Sequence, residues 1–251
     1  MVWLVWGCGG GTTFDESTPP PEGDADTDAD ADADSDTDAD TDADPGELAA
    51  WVVTSIAVAG RFDGFDLDGD GDGDNALWAM KLAVDPALAT ALTSSTVEIV
   101  VQLADVHDWQ DDPAVRVGVL SAEDPEGDGT FDAGPSVDAT GAALVAVETP
   151  LAAGAYEVVL ADDTLVVGAM TLEASTPIHV AGEPTAQAHP GRFGCAIPID
   201  RLLAAFEAAG VDPGALEGLD ALADLDTDQD DEPDSISAAF AFDAAPALIA
   251  R

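Results

Sequence analysis

The chain has 251 residues, with 52 Asp plus Glu against 6 Lys plus Arg and 3 His, a formal net charge of -46. Such a surface repels phosphate backbones and anionic headgroups alike, which excludes nucleic-acid binding and a polybasic membrane patch. A hydrophobic fraction of 47% is ordinary for a globular domain and too high for wholesale disorder, so the acid is concentrated locally.

Only Cys8 and Cys195 are present, too few for a disulfide framework. Cys8 closes the apolar run Met1-Val2-Trp3-Leu4-Val5-Trp6-Gly7 and precedes Gly9-Gly10-Gly11. This resembles the end of a bacterial lipoprotein signal peptide. The resemblance implies removal of the residues up to Gly7, lipidation of Cys8 and an extracytoplasmic domain anchored to the cell envelope, at the outer membrane or cell surface. A secretory leader also carries a positively charged start, and no Lys or Arg precedes Arg61; the alternatives are a start upstream of Met1 and an untargeted N-terminus. No other segment approaches the ~18 consecutive apolar residues of a membrane span, so the lipid on Cys8 is the only membrane contact expected.

From Asp24 to Asp44 the chain alternates Asp with Ala, Thr or Ser. Neither face of such a segment is apolar enough to bury, and like charges two residues apart repel. Residues 9–47 therefore read as a solvated, extended acidic tether between a leader remnant at 1–8 and a single globular domain at 48–251.

Within the domain, alternating apolar segments read as strands: Trp51 to Val58, Thr96 to Leu103, Val115 to Leu120, Leu144 to Val147, Tyr156 to Leu160, Leu165 to Leu172, Ile178 to Val180, Arg192 to Ile197 and Ile236 to Phe242. In the last, Ile236, Ala238, Phe240 and Phe242 are expected inward, and Ser237, Ala239 and Ala241 outward. Asp162-Asp163 has the look of a hairpin turn. Leu77, Met80, Lys81 and Val84 mark a helical stripe, with Asp85-Pro86 as a new N-cap and first-turn proline before Leu88 and Leu92. Ile199, Leu202, Leu203 and Phe206 form a second stripe that Gly210 should stop, and Leu216, Leu219 and Leu222 a short third. The expected class is α+β, mainly antiparallel β, a sandwich or half-open barrel with a few short helices.

The chemistry lies in three Asp-rich loops. Asp66, Asp68, Asp70 and Asp74 supply oxygen donors at loop positions 1, 3, 5 and 9, with Gly71 as the turn at 6 and the Asp72 carbonyl at 7, a pattern suited to a hard cation of Ca²⁺ size. Position 12, where a helix-loop-helix site places a bidentate Glu, is Leu77, so water or another loop must complete the shell. Asp226, Asp228, Asp230 and Asp234 repeat the spacing, with Asp231 at the turn, tolerable at positive φ, and Glu232 at position 7. Asp124, Glu126, Asp128 and Asp132 form a third copy with Gly129 at the turn, Thr130 at position 7 and Pro125 stiffening the entry. Asp74 is also placed to cap the helix that begins at Asn75. The loops are similar to those of thrombospondin type 3 repeats and dockerins, over about ten residues each.

Motifs for acyl transfer, zinc hydrolysis, phosphate or dinucleotide binding are missing. His107, His179 and His189 read as surface or turn histidines, Cys195 as a buried small hydrophobe, and Trp78 and Trp109 as core or loop packing. Leader-like cysteine, acidic tether and calcium loops together resemble surface lipoproteins of myxobacterial type. The resemblance implies a non-enzymatic, Ca²⁺-binding envelope protein that presents a binding domain to an extracellular protein or glycan. Two rivals stand beside it: a secreted calcium-dependent hydrolase of glycan class, and a calcium-dependent extracellular scaffold module.

Overall fold

The computed structural model describes residues 46–161, 163–230 and 232–250; Cys8, the tether before Gly46, Asp162 and Asp231 lie outside them. In chain order the strands are β1 (Glu47–Val58), β2 (Val97–Val106), β3 (Asp111–Glu123), β4 (Thr130–Phe131), β5 (Val147–Ala152), β6 (Tyr156–Leu160), β7 (Thr164–Val167), β8 (Met170–Glu173), β9 (Ile178–Gly182), β10 (His189–Pro198), β11 (Ser235–Pro246) and β12 (Leu248–Ile249). The helices are α1 (Lys81–Ser94) and α2 (Ile199–Ala208). Among the described residues no helix is long and apolar enough to cross a membrane.

Eight strands form one antiparallel sheet in the order β5-β3-β2-β1-β11-β10-β9-β6. Its two end strands, β5 and β6, are joined by the tight turn Ala153-Gly154, where both φ angles are positive, 52° and 77°, as a type I′ hairpin requires. Ala152 and Ala155 exchange backbone hydrogen bonds across it. Further along, the Thr149 hydroxyl donates to the Glu157 carbonyl at 2.9 Å, while Pro150 has no N–H to continue a ladder. The sheet thus curls until its edges meet at one end only, giving the half-open barrel.

Inward side chains from both ends of the sheet, including Trp51, Leu103, Phe193 and Phe240, join α1, α2 and the β7–β8 hairpin in one apolar core. A smaller core lies on the outer face of β2 and β3, where Val100, Leu120 and Ala122 meet Phe131, Ala133 and Ala143. Buried Gln102 fixes this cover, donating to the Gly141 carbonyl (2.7 Å) and accepting from the Ala143 N–H (2.5 Å).

Several elements differ from the sequence expectation, each for a local reason. The stretch Leu165 to Leu172 is two strands, because Gly168 turns the chain at φ 56° against α1; a Cβ there would lie 2.0 Å from the Ala91 carbonyl oxygen. Asp85-Pro86 does not start a helix. A 3-10 turn at Ala76–Met80 runs into α1 and places Pro86 in its second turn. Asp85 instead takes the Val58 N–H at 2.8 Å and pairs with Lys81 at 2.9 Å. The third helix is two 3-10 turns, Pro213–Leu216 and Leu219–Leu222, broken at Gly218, φ 90°. Leu144 and Val145 are exposed, and the strand expected there begins only at Val147. Of the turn read at Asp162-Asp163, Asp162 falls outside the described residues, and Asp163 directly precedes β7. Gly210 does terminate α2, at φ 80°.

β11 is the most consequential correction. Its first half is buried on both faces: Ser235, Ser237 and Ala239 are each 0% exposed. β1 stops pairing with β11 at Val58–Phe240, and the side chain of Asn75 replaces it as partner. Its Oδ1 accepts from the Ala239 N–H (3.1 Å) and its Nδ2 donates to the carbonyls of Ala59 and Gly60, both 3.1 Å. Ser237 and Ala239, which read as outward-facing, are therefore covered by the segment leaving the Asp66 loop, whereas Ala241 is exposed as expected.

Candidate metal centre

All three Asp-rich loops leave and rejoin the fold through an antiparallel bridge: Phe65 with Asp74, Glu123 with Asp132, and Leu225 with Ser235. The first Asp of each shapes the loop inside that bridge. Its carboxylate accepts the N–H three residues on, at 2.7 Å in every loop, from Gly69, Gly127 and Gln229. The Asp at position 5 then takes the N–H at position 7: Asp70 from Asp72 (2.8 Å), Asp128 from Thr130 (2.9 Å) and Asp230 from Glu232 (2.9 Å).

Two turns of left-handed backbone coil the loop. The one expected at position 6 is present as Gly71 (φ 94°) and Gly129 (φ 82°); its counterpart Asp231 falls outside the described residues. Position 4 is left-handed as well, at Gly69 (φ 84°), Gly127 (φ 68°) and Gln229 (φ 66°). Sequence reasoning missed this second turn, although aligning the loops on their first Asp would have exposed the glycine shared by two of them.

The carboxylates gather in two of the three loops. In the first, Asp66, Asp68 and Asp74 each bring an oxygen within 4.8 Å of the others; in the last, Asp226, Asp228 and Asp230 do the same. Either triplet could hold a metal ion. Asp70 stands outside the first. Asp234 stands outside the second, its carboxylate taken by the Thr227 N–H (3.1 Å) and hydroxyl (2.9 Å). Among the described residues, Asp124, Glu126, Asp128 and Asp132 form no such triplet. Position 2 bears on where the position-9 carboxylate goes, though not by itself on whether a triplet forms, since the Thr227 N–H holds Asp234 outside one. In the first loop the Leu67 N–H holds Asp74 over the coil at 2.9 Å, whereas Pro125 has no N–H to offer, and Asp132 turns instead to the Gly134 N–H at 2.8 Å.

The electrostatics follow the same division. Asp74 has its pKa raised, first by burial and then by the charges of Asp68, Asp224 and Asp70. Asp228 is raised by desolvation and by Asp230, Asp234 and Asp226. Asp124 moves the other way, lowered chiefly by the Gly129 N–H. Asp74 and Asp228 thus carry crowded negative charge, whereas Asp234, like Asp124, is lowered, chiefly by the Thr227 N–H.

The two crowded loops share a foundation. Asp224, just before the last loop, accepts from the Ser237 N–H (2.7 Å) and hydroxyl (2.5 Å). That hydroxyl in turn accepts from the N–H of Ala76 (2.8 Å), just after the first loop, across 161 residues of sequence. The Thr227 hydroxyl meets that of Ser235 at 3.0 Å. At the root of the first loop, Phe65 lies so close over β10 that a Cβ on Gly194 would come within 2.1 Å of its ring. His179 and the Arg192 guanidinium flank that ring, each 5.3 Å away. Asp74 caps no helix; Asn75 occupies the N-cap position, without a side-chain cap bond. Leu77, at position 12, is fully buried and cannot be a ligand.

The remaining candidates are placed as follows. His107 is exposed, with its N–H on Asp112 Oδ2 at 2.6 Å. His179 is half-buried in β9, not in a turn. His189 is fully buried, against the surface reading, because it starts β10 inside a box of Trp51, Tyr156 and Phe242. Cys195 is buried as expected, and burial pushes its thiol up to about 12, which makes it inert at neutral pH. Trp109 packs edge-on against Trp51 at 5.9 Å, while Trp78 is 44% exposed and so is not core. A cleft of about 620 Å³ opens among Glu157 of β6, Glu183 just past β9 and Arg192 of β10; its one aromatic, Tyr156, is buried with its hydroxyl 3.1 Å from His189 Nε2.

The chain matches no protein-family model, no curated protein sequence and no solved structure.

Proposed function

We propose that the chain is a calcium-binding, non-enzymatic cell-envelope lipoprotein whose globular domain presents a binding surface, with structural calcium in the Asp66 and Asp226 loops. The observation that carries this reading is the pair of Asp triplets, built on the same backbone template and footed on one strand. Ca²⁺ takes six to eight oxygens at about 2.3–2.6 Å in tolerant geometry. Three carboxylates, the carbonyl at position 7 and water satisfy that need, whereas the octahedral demands of Mg²⁺ are harder to meet on an exposed, flexible coil. Open loops of this kind bind at ~10⁻⁴–10⁻³ M, so occupancy would follow the surroundings of the cell. The Asp124 loop is assigned no ion. The envelope location rests on the leader-like run ending at Cys8, and an extracellular protein or glycan is the partner class that location favours.

A second reading, a calcium-dependent scaffold module, gains from the Ser237 junction. Paired calcium loops are what such modules use, and loops remote in sequence are here built on a common base. Calorimetric titration of the calcium-stripped chain with CaCl₂ at constant ionic strength tests the metal assignment. The expected result is about two ions bound, with one lost in the Asp66→Ala, Asp68→Ala double variant and the other in Asp226→Ala, Asp228→Ala. Absence of saturable heat, or binding indifferent to all four substitutions, would overturn it.

A further inference from the structure

We propose a ligand site unrelated to the loops: a cavity in the seam of the half-open barrel that takes one small, uncharged, predominantly apolar molecule. The cavity measures about 120 Å³ and lies where β3 has outrun its partner. β5 pairs with β3 only as far as Val117, and from Val119 to Ser121 the edge of β3 faces Leu160 of β6 across the gap, with the β7 residues Thr164 to Val166 alongside. Ile99, Leu160, Leu165, Ile178 and Phe193, from five different strands, supply the wall, and each is at most 4% exposed. Ser121 and Thr164 stand exposed at the rim.

Three properties select the ligand class. Size comes first: an apolar cavity of about 150 Å³ admits benzene, and at about 120 Å³ this one takes nothing larger than a single six-membered ring or a short branched alkyl group, which excludes a fatty-acyl chain or a peptide side chain with its backbone. The wall carries no charge, but the rim hydroxyls and the backbone edge of β3 from Val119 to Ser121, which β5 no longer pairs, offer hydrogen bonds to one hydroxyl or carbonyl of the ligand. Charge decides the rest, because a chain of net charge -46 disfavours a carboxylate there. The class is therefore a neutral hydrocarbon or a small alcohol or ketone, entering between Ser121 and Thr164. Mouths of β-barrels are where such sites recur.

The test is an NMR titration of the full chain with benzene and with tert-butanol, following the methyl signals of Ile99, Leu160 and Ile178. Saturable shifts confined to these methyls are expected. Leu160→Phe, which fills the space, and Thr164→Trp, which blocks the rim from an exposed position, should each weaken the apparent affinity at least tenfold. Thr164→Trp decides the matter if Leu160→Phe does not fold. Shifts that rise linearly without saturation, or that persist unchanged in Thr164→Trp, would overturn the proposal.

Discussion

His189 shows how far a single side chain can depart from its sequence neighbourhood. Flanked by Ala188 and Pro190, it reads as a turn residue, yet pairing with Ala244 of β11 carries it into the barrel, where Tyr156 meets Nε2 and Nδ1 has no hydrogen-bond partner. Burial lowers its pKa from 6.5 to about 4, so the folded chain holds the neutral imidazole. The unfolded chain takes up a proton as the pH falls through 6.5, and the folded one only near 4. Stability is then full above 6.5, declines between 6.5 and about 4, and loses nothing further from this residue below. The whole shift corresponds to about 3 kcal/mol, of which roughly 2 falls between pH 7 and pH 5. Urea unfolding at those two pH values should show that loss in the wild type and most of it abolished in His189→Gln, which keeps an acceptor for Tyr156. Equal losses in the two proteins would place the pH dependence elsewhere.

Loops and strands differ in how much of them the sequence discloses. The donor positions of the Asp66 loop are legible because side chains at 1, 3, 5 and 9 follow from backbone coiling alone. What becomes of the position-9 donor is not, since its partners lie outside the pattern: the Leu67 N–H for Asp74, the Thr227 N–H and hydroxyl for Asp234, and the Gly134 N–H for Asp132. The left-handed residue at position 4 is legible only by comparing loops. There the last loop carries a cost, because Gln229 sits at φ 66° where a non-glycine residue is disfavoured by about 1–2 kcal/mol. Gln229→Gly should raise stability by about 0.5–1 kcal/mol in denaturant unfolding, after the extra chain entropy of glycine is subtracted. A loss of stability would mean that the glutamine side chain is needed. Among the strands, alternation in β6 is plain and matches its exposure, whereas β2, β10 and β11 are each buried on both faces over part of their length, in β11 because Asn75 and Ala76, far away in sequence, cover the outer face of its first half.

At the level of the molecule, a mainly antiparallel α+β domain could be read from strand-like periodicity, but the choice of a half-open barrel over a sandwich and the order of the strands could not, because register and neighbour choice are set by long-range pairing. The same limit hid the Ser237 junction, which needs β11 and the residues after the Asp66 loop to be placed in three dimensions. Calcium, as proposed for the two loops, would relieve their crowded carboxylates and, through that junction, tie cation binding to the stability of the barrel. The direct test is thermal unfolding of the full chain followed by near-UV circular dichroism, first in EDTA and then across a Ca²⁺ titration at constant ionic strength. At about ten times Kd each site adds roughly 1.4 kcal/mol, a rise in Tm of about 3–6 °C for a domain of this size. That rise is expected with Ca²⁺, a smaller one with Mg²⁺, and its partial loss in Asp66→Ala, Asp68→Ala. A Tm that is the same in EDTA and in saturating Ca²⁺ would contradict it.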